Sequence, residues 1–369
     1  MNVLCVIDHF VQGGAQRQLV NIACGLQQRG HRVEFFVYYP DEFFKRIVDN
    51  AGIAVHLCLK KGRLSIKPIR DLRRLIQNGG FDSVLAFLET PCVYAEIACL
   101  GLKRVRLVVS ERNIVPDGIV TISKWVKAQL HRQAHVVTTN SFVHTQWMAN
   151  SFPWIKNRLT TIFNGVDLNQ FRPRSMRLPN GQLRLLGLGR ITEQKNIPGL
   201  ARAIELCRSQ KRIDVRVDWV GRMDGGSVLI AAKESIENAR LGESWRWLGQ
   251  RQDVAELMHQ YDALILPSLW EGLPNAVCEA LASGLPVLAS RIADNPRLVE
   301  EGVTGFLFDP RDPEDMAEAM ARFNDLAAEA RLGMAVAGRA FAERELSMEK
   351  CTIAYESILM GASGSKATD

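Results

Sequence analysis

The chain has 369 residues, of which 47% are apolar and 23% are charged, an ordinary balance for a globular protein. This composition excludes disordered and fibrous chains. The length exceeds what one hydrophobic core usually supports, so we expect two domains. Residues 1–172 carry 22 Lys and Arg against 12 Asp and Glu, whereas residues 173–369 carry 24 against 28. The basic first half therefore favours an anionic partner for that half alone.

The sequence also disfavours membrane-spanning proteins and zinc-binding proteins. No apolar stretch reaches the roughly 20 residues that a membrane-spanning helix needs, and the N-terminus has the pattern of a first strand rather than of a signal peptide. The eight cysteines are scattered without a CxxC pair, which favours small buried thiols in a reducing compartment over a zinc site. We therefore expect a cytoplasmic protein without a metal centre.

Short apolar or β-branched runs alternate with amphipathic runs along most of the chain. This alternation is typical of a mostly parallel sheet with crossover helices. In the first half, the predicted strands are 2–7, 32–39, 54–59, 82–88, 106–110, 135–140 and 159–164. In the second half, they are 183–189, 215–221, 245–249, 263–268, 286–290 and 305–309, and helices dominate from Pro313 to Met360.

These patterns define the predicted domains. Residues 1–172 and 183–345 form two α/β domains, joined by a Pro- and Arg-containing linker at 173–182. Residues 346–360 are predicted to form a C-terminal helix that packs back on the first domain. Residues 361–369 form a frayed tail.

The segment LILPSLWEGLPNAVCEALASGLPVLAS (264–290) combines a buried strand, a turn with Glu271, and a helix with Pro274 at its first position. The N–H groups from Asn275 onward and the partial positive charge of a helix start favour an anion there. Glu271 and Glu279 flank that start and suit sugar hydroxyls on both sides of a phosphate group. The alternative to sugar binding is that Glu271 is a solvated turn residue and that Glu279 only complements the helix dipole.

A second candidate site follows the first strand of the second half. Arg190 comes immediately after Gly189, and Lys195 follows five residues later. Two cations at the carboxyl end of one strand can bracket a diphosphate, each charge-assisted contact contributing about 1.5–3 kcal/mol. The alternative is a solvated loop with two surface cations.

Taken in order, these motifs resemble those of the retaining GT-B glycosyltransferases of glycosyltransferase family four. The resemblance spans Ile7 to about Leu359. It is carried by the Glu271–Glu279 pair, the GR-x4-KN run from Arg190, the FNGVD run (163–167), VQGGAQRQLVNIA (11–23) and VTGFLFDPRDPEDMAEAM (303–320). It implies an α/β GT-B fold, with two Rossmann-like β/α/β domains facing across a central cleft. It also implies a nucleotide diphosphate sugar as donor and no required cofactor or metal ion.

The resemblance further implies roles for single residues. Arg190 and Lys195 would hold the donor diphosphate and stabilise the departing nucleotide. Glu271 would contact the transferred sugar, and Glu279 would bind the ribose hydroxyls. The remaining implied donor-binding residues are loop positions, namely Gly13, Gly14, Gly272, Leu273, Pro274 and Asn275.

One departure from the family pattern concerns the residues after the strand 106–110. Many relatives place a His there, whereas this chain has SERN. Relatives that act on lipid-linked or polysaccharide acceptors are similar at this point, so Glu111, Arg112 and Asn113 are predicted acceptor-side residues. The alternative is a strand-end Arg112 in an ion pair with Glu111.

The activity implied by the resemblance is retaining transfer of a hexose or N-acetylhexosamine, with a UDP-sugar favoured over a GDP-sugar. The acceptor would be a lipid-linked or polysaccharide glycan of the cell surface. Two alternatives remain open: a nucleotide-sugar epimerase or hydrolase of the same fold, and a non-catalytic binding protein. A nicotinamide dehydrogenase is disfavoured, because GG rather than GxGxxG follows the first strand.

The run KKGRLSIKPIRDLRR (60–74) holds seven basic residues and one acid, with an apolar stripe in its second half. Such a segment can lie on an anionic membrane, and Trp125 between Lys124 and Lys127 adds an interfacial anchor. We therefore expect peripheral attachment to the inner face of the cell membrane. The alternative is a solvated basic helix that packs one face on the sheet. No nucleic-acid-binding motif accompanies the run, so no nucleic-acid partner is expected.

Overall fold

A computed structural model describes residues 1–62, 65–112, 119–173 and 181–361. The chain divides into two compact units. Unit 1 comprises Met1–Gly165 together with the segment from Met348, and unit 2 comprises Val166–Ser347.

Unit 1 is built on one sheet of seven parallel strands. The strands are β1 (Asn2–Val6), β2 (Arg32–Val37), β3 (Ala54–Leu57), β4 (Ser83–Phe87), β5 (Arg106–Glu111), β6 (Val136–Thr139) and β7 (Leu159–Thr161). Their order in the sheet is β3-β2-β1-β4-β5-β6-β7. The central strands β1 and β4 are almost entirely buried, as expected when helices cover both faces of a parallel sheet.

Among the described residues, six helices connect the strands of unit 1. They are α1 (Gly14–Gln28), α2 (Lys45–Asn50), α3 (Lys67–Asn78), α4 (Glu89–Ala98), α5 (Ile122–Leu130) and α6 (Phe142–Ser151). Short 3-10 turns occur at His131–Gln133 and Pro153–Arg158.

Unit 2 repeats the same winding with six parallel strands. The strands are β8 (Gln182–Leu188), β9 (Asp214–Val220), β10 (Trp245–Gly249), β11 (Ala263–Leu266), β12 (Val287–Ser290) and β13 (Gly305–Phe308), in the order β10-β9-β8-β11-β12-β13. The helices are α7 (Ile197–Gln210), α8 (Gly226–Asn238), α9 (Val254–Met258), α10 (Asn275–Ala282), α11 (Asn295–Leu298), α12 (Pro313–Asn324) and α13 (Ala328–Glu345), and a 3-10 turn spans Glu193–Lys195. The core is dominated by apolar side chains, with Trp219 stacked on Trp245 at 6.0 Å between ring centroids.

In both sheets the strand order reverses next to the first strand, between β1 and β4 and between β8 and β11. Ligands of doubly wound sheets bind beyond the carboxyl ends of the strands at this reversal. All thirteen predicted strands are present, and the predicted pair of Rossmann-like domains is confirmed.

The last helix, α14 (Met348–Met360), lies within unit 1. Ser83 Oγ donates to the carbonyl of Leu359 at 2.9 Å, and Arg106 Nε donates to the carbonyl of Ile358 at 2.5 Å. The Tyr355 ring is fully buried. The helix therefore completes the core of unit 1.

The division at Gly165 and Val166 lies upstream of the predicted linker at 173–182, of which residues 174–180 lie outside the described part. The reason is hydrogen bonding. Arg339 on α13 donates to the carbonyls of Leu168 at 3.3 Å and Phe171 at 2.8 Å, so these residues belong to unit 2.

Candidate functional site

The adjacent strands β8 and β11 bring two distant segments together in unit 2. Lys195 Nζ contacts Glu271 Oε1, and Ser268 Oγ donates to the same oxygen at 2.7 Å. Lys195 Nζ also lies 3.4 Å from Ser268 Oγ. Both charged side chains are largely buried, at 13% and 9% exposed. The carboxylate therefore holds the ammonium group directly at the strand reversal.

Backbone geometry fixes the position of Lys195. Gly189 follows β8 with a φ of 144°, and a Cβ there would lie 2.5 Å from Lys195 Cε. The Gly189 carbonyl accepts a hydrogen bond from Trp219 Nε1 at 2.8 Å. Gln194 joins the two loops, since its Nε2 donates to the Trp270 carbonyl at 2.7 Å. The lysine chain thus crosses a space that only glycine leaves open.

Asn196 supports the same loop. It has a left-handed backbone, with φ 48° and ψ 45°, and its Oδ1 accepts from the Gly199 amide at 3.3 Å as the N-cap of α7. Its Nδ2 donates to the Pro310 carbonyl at 2.7 Å. Asn tolerates this backbone region better than most residues. The asparagine in the GR-x4-KN run is therefore a capping residue.

Arg190 lies in the exposed part of the loop after β8. Within the described part of the chain it forms no ion pair, whereas Lys195 pairs with Glu271. The structure thus brings together two of the three predicted catalytic side chains and leaves the third at the surface.

Helix α10 begins at Asn275, directly after the turn that contains Glu271. Pro274 is the N-cap and not the first helical residue, which corrects the predicted start by one position, and it supplies no side-chain acceptor to the first turn. Leu273 and Pro274 are buried, and Gly272 is half-buried. Glu279 is buried and lies one turn after Asn275, so the two residues share a helix face.

In unit 1, the predicted glycines lie between β1 and α1. Gly13 is the N-cap of α1 in an extended conformation, and Gly14 is the first helical residue. A Cβ on Gly13 would overlap Gln16 Oε1, and Gln16 Nε2 donates to Asp8 Oδ1 at 3.3 Å. The first turn of α1 has no acidic residue and no side-chain cap. This helix start can therefore accept an anion.

Arg112 follows β5 and is held by its own unit. Its guanidinium lies 4.0 Å over the Phe87 ring, its Nε donates to Ser110 Oγ at 2.8 Å, and its Nη2 donates to the Tyr355 hydroxyl at 2.8 Å. Its Nη1 donates to Asn164 Oδ1. These contacts tie the end of β5 to α14.

No Arg112–Glu111 ion pair is present among the described residues, so the alternative raised from the sequence is wrong there. Glu111 Oε1 instead lies 3.5 Å from His131 Nε2. Asn113 lies outside the described residues.

Sequence reasoning missed two clusters at the carboxyl edge of the unit 1 sheet. The ammonium of Lys60 lies 5.4–5.9 Å from the ring centroids of Tyr94, Tyr38 and Tyr39. Tyr38 and Tyr39 directly follow β2. Because ligands of doubly wound sheets bind beyond the carboxyl ends of the strands, this position could have been predicted from the sequence. The second cluster joins Glu111 to His131 and to a carboxylate on α4, and no local pattern marks it.

The basic run contributes α3 to unit 1. Leu72 and Ile76 of this helix are buried in the core, so part of the predicted apolar stripe faces the sheet. Among the described residues, no helix is both long and apolar enough to cross a bilayer. Nor does the described part of the chain group three side chains of metal-ligating type.

Two family descriptions match the chain in sequence order. "Glycosyltransferase Family 4" matches residues 12–170, and "Glycosyl transferases group 1" matches residues 182–325. The chain belongs to the family four, group 1 glycosyltransferases. The first match contains Gly13, Gly14 and Glu111, and the second contains Lys195 and Glu271.

Two curated Escherichia coli relatives illustrate this family. The UDP-Gal:alpha-D-GlcNAc-diphosphoundecaprenol alpha-1,3-galactosyltransferase is 31% identical over 46% of this chain and 46% of its own length. The putative colanic acid biosynthesis glycosyltransferase WcaL of strain K12 is 30% identical over 44% of this chain and 41% of its own length. The chain thus matches less than half the length of each of these family members.

A solved structure of the family fold is that of Anabaena HepE in complex with UDP and glucose. It has a TM-score of 0.83 and 20% identity, and the alignment covers 98% of this chain and all of HepE. This similarity confirms the predicted GT-B fold class.

Proposed function

We propose that the chain is a retaining glycosyltransferase that moves a hexose or N-acetylhexosamine from a UDP-sugar to a lipid-linked or polysaccharide acceptor. The observation that carries the proposal is the Lys195–Ser268–Glu271 cluster, directly before the start of α10. A buried cation, a buried carboxylate and a helix start are the groups that a sugar diphosphate requires.

Each group has a defined task in this proposal. Lys195 has three N–H donors, so it can keep its contact with Glu271 and also donate to the donor diphosphate. Arg190 and the first amides of α10 add positive charge as the nucleotide leaves. Stabilising that developing charge is the main contribution to catalysis. Glu271 accepts a hydrogen bond from the transferred sugar, and Glu279 accepts from the ribose.

The proposed charge stabilisation requires no divalent ion, since Arg190, Lys195 and α10 supply the positive charge. Retention of configuration follows the family resemblance, with the leaving phosphate assisting deprotonation of the attacking hydroxyl on the same face. Transfer should therefore continue in excess EDTA, and the product should keep the donor's anomeric configuration by NMR. Complete loss in EDTA with recovery in Mn²⁺ would refute the metal-independent step.

The relatives support the choice of substrates. The E. coli galactosyltransferase is named for a UDP-sugar donor and a diphosphoundecaprenol acceptor, and HepE was solved with UDP and glucose. The first test is a thermal-shift screen with UDP-galactose, UDP-glucose, UDP-N-acetylglucosamine and GDP-mannose. Transfer to N-acetylglucosamine-diphosphoundecaprenol is then followed by mass spectrometry.

Variants separate this proposal from its alternatives. Lys195→Ala and Glu271→Ala should each lower transfer at least a hundredfold with the fold retained. Lys211→Ala is the matched control, because Lys211 also pairs with a glutamate, Glu318, in unit 2. Release of free sugar from the donor in the absence of acceptor would favour a hydrolase. Conversion of the donor sugar to its epimer would favour an epimerase. Donor binding without any reaction would favour a non-catalytic protein.

We also propose that the chain is a cytoplasmic protein attached to the inner face of the cell membrane through the start of α5. Large apolar side chains are exposed there, with Ile122 84% exposed and Trp125 49% exposed, beside Lys124. Vesicles with 30% phosphatidylglycerol should bind the wild type and release it in high salt. Ile122→Ser should weaken binding, whereas Ile230→Ser, at a 58% exposed site in unit 2, should not.

A further inference from the structure

A chain of three ionisable side chains lies behind the carboxyl edge of the unit 1 sheet. His131 Nδ1 lies 2.6 Å from Glu96 Oε1 on α4, and His131 Nε2 lies 3.5 Å from Glu111 Oε1 at the end of β5. The side chains of Glu96, His131 and Glu111 are 0%, 3% and 14% exposed. A neutral imidazole carries hydrogen on one ring nitrogen, so only the imidazolium directs an N–H at both carboxylates.

The protonation states of Glu96, His131 and Glu111 depend on one another. Burial lowers the pKa of His131, but hydrogen bonds and charge from Glu111 and Glu96 raise it to about 10. Burial raises the pKa of Glu111, but the hydrogen bond and charge of His131 bring it below its usual value. Burial raises the pKa of Glu96. His131 therefore keeps Glu111 ionised at neutral pH.

The other groups that face Glu111 leave this assignment intact. Burial lowers the pKa of His144 on α6 to about 4, so this imidazole is neutral at pH 7. The charge of a protonated His144, and then that of Lys124 on α5, lowers the pKa of Glu111 further. Burial keeps the Cys92 thiol on α4 protonated by raising its pKa. Arg112 is tied to Phe87, Ser110, Asn164 and Tyr355.

A purely structural role explains this arrangement poorly. Glu96 Oε2 is buried without a hydrogen-bond partner among the described residues, which costs free energy. Buried ion pairs are often no more stabilising than apolar side chains of similar volume. Glu111, in contrast, ends β5 at the edge where ligands of such sheets bind.

We infer that His131 and Glu96 position the ionised Glu111 to bind a hydroxyl group of the acceptor substrate. Glu111 is the residue that contacts the acceptor, next to the hydroxyl that receives the sugar. His131 and Glu96 act through it and are positioning residues. The inference rests on the proposed transferase function and adds a binding determinant for its acceptor.

The first test separates acceptor binding from donor binding. In the transfer assay with N-acetylglucosamine-diphosphoundecaprenol, Glu111→Gln should raise the acceptor KM at least tenfold and leave the donor KM within twofold. An unchanged acceptor KM would overturn the inference. If the wild type transfers no sugar from any donor, the proposed function itself fails, so the two failures are distinguishable.

The second test uses the pH profile, which a merely structural role would not move. The wild-type kcat/KM for the acceptor should be flat between pH 5.5 and 8. In His131→Gln, burial without the opposing imidazolium raises the pKa of Glu111, so kcat/KM should fall about tenfold from pH 8 to pH 5.5. Glu96→Gln retains the His131 ring, so its kcat/KM should fall less between pH 8 and pH 5.5. This variant tests the inference if His131→Gln folds poorly.

A matched control exists at the opposite end of the same unit. His31 Nε2 lies 2.5 Å from Glu356 Oε1, with exposures of 11% and 14%, directly before β2. His31→Gln removes a similar His–Glu pair and should leave both KM values and the pH profile unchanged. A flat profile in both His131→Gln and Glu96→Gln would overturn the positioning role, as would an equal shift in His31→Gln.

Discussion

Replacing Arg112 tests whether this residue holds the fold or acts on substrate. Arg112→Ala removes hydrogen bonds to Ser110, Tyr355 and Asn164 and the contact with the Phe87 ring. Each charge-assisted hydrogen bond contributes about 1.5–3 kcal/mol, and the ring contact about 1 kcal/mol.

Part of this loss is recovered in the variant. The Tyr355 hydroxyl keeps a partner in Thr138 Oγ1 at 3.1 Å, and Ser110 Oγ can move onto the same hydroxyl from 3.5 Å. We therefore expect a net local destabilisation of about 3 kcal/mol, which corresponds to roughly a hundredfold faster opening of α14.

Hydrogen–deuterium exchange with mass spectrometry measures this effect locally, which suits a two-unit chain better than a single melting temperature. Peptides from α14 should exchange about a hundredfold faster in Arg112→Ala and by a smaller factor in Arg112→Lys, which keeps the charge but loses the planar fork. Arg132→Ala is the control, because Arg132 is exposed and contacts Gln129 at 3.2 Å. Unchanged exchange of α14 together with abolished transfer would refute the reasoning and indicate direct contact with substrate.

Three further substitutions probe the site and its supports. Gly189→Ala forces a strained φ and displaces the Lys195 side chain, so UDP-sugar affinity by calorimetry should fall about tenfold, whereas Gly242→Ala, with open space around it, should bind normally. His131→Gln should destabilise the chain by about 3 kcal/mol in urea titrations at pH 6. The deficit should shrink as the pH rises towards 10, because the stability contributed by a raised pKa is lost there; a deficit that grows with pH would contradict the assignment. Asn196→Ala should lower stability by about 1–2 kcal/mol in the same titrations through the lost cap and left-handed strain, and Asn196→Gly by less, while equal losses would argue against backbone strain.

The sequence was sufficient to predict the strands and both sheets, because each strand is a short apolar run bounded by turn residues. It also placed Lys195 and Glu271 after separate strands. Their direct contact depends on β8 and β11 being neighbours, which strand patterns alone do not specify.

Other features depend on contacts that leave no local signal. The division at Gly165 follows from the hydrogen bonds that Arg339 donates to backbone carbonyls. Every residue has a backbone carbonyl, so the sequence does not show which ones Arg339 binds. Likewise, His131 and Glu96 meet Glu111 from a 3-10 turn and a helix, and neither carries a motif.

The assignment of α14 to unit 1 has a consequence for biosynthesis. Val166–Ser347 is one uninterrupted stretch, so it can fold on the ribosome as soon as it has emerged. The larger part of unit 1 emerges earlier but must wait for Tyr355, Ile358 and Leu359, which fill its core. The nascent chain therefore holds an incomplete domain until Met348–Met360 has also emerged. A stop codon just before Met348 should accordingly yield a chain with a correctly folded unit 2 and an aggregation-prone unit 1.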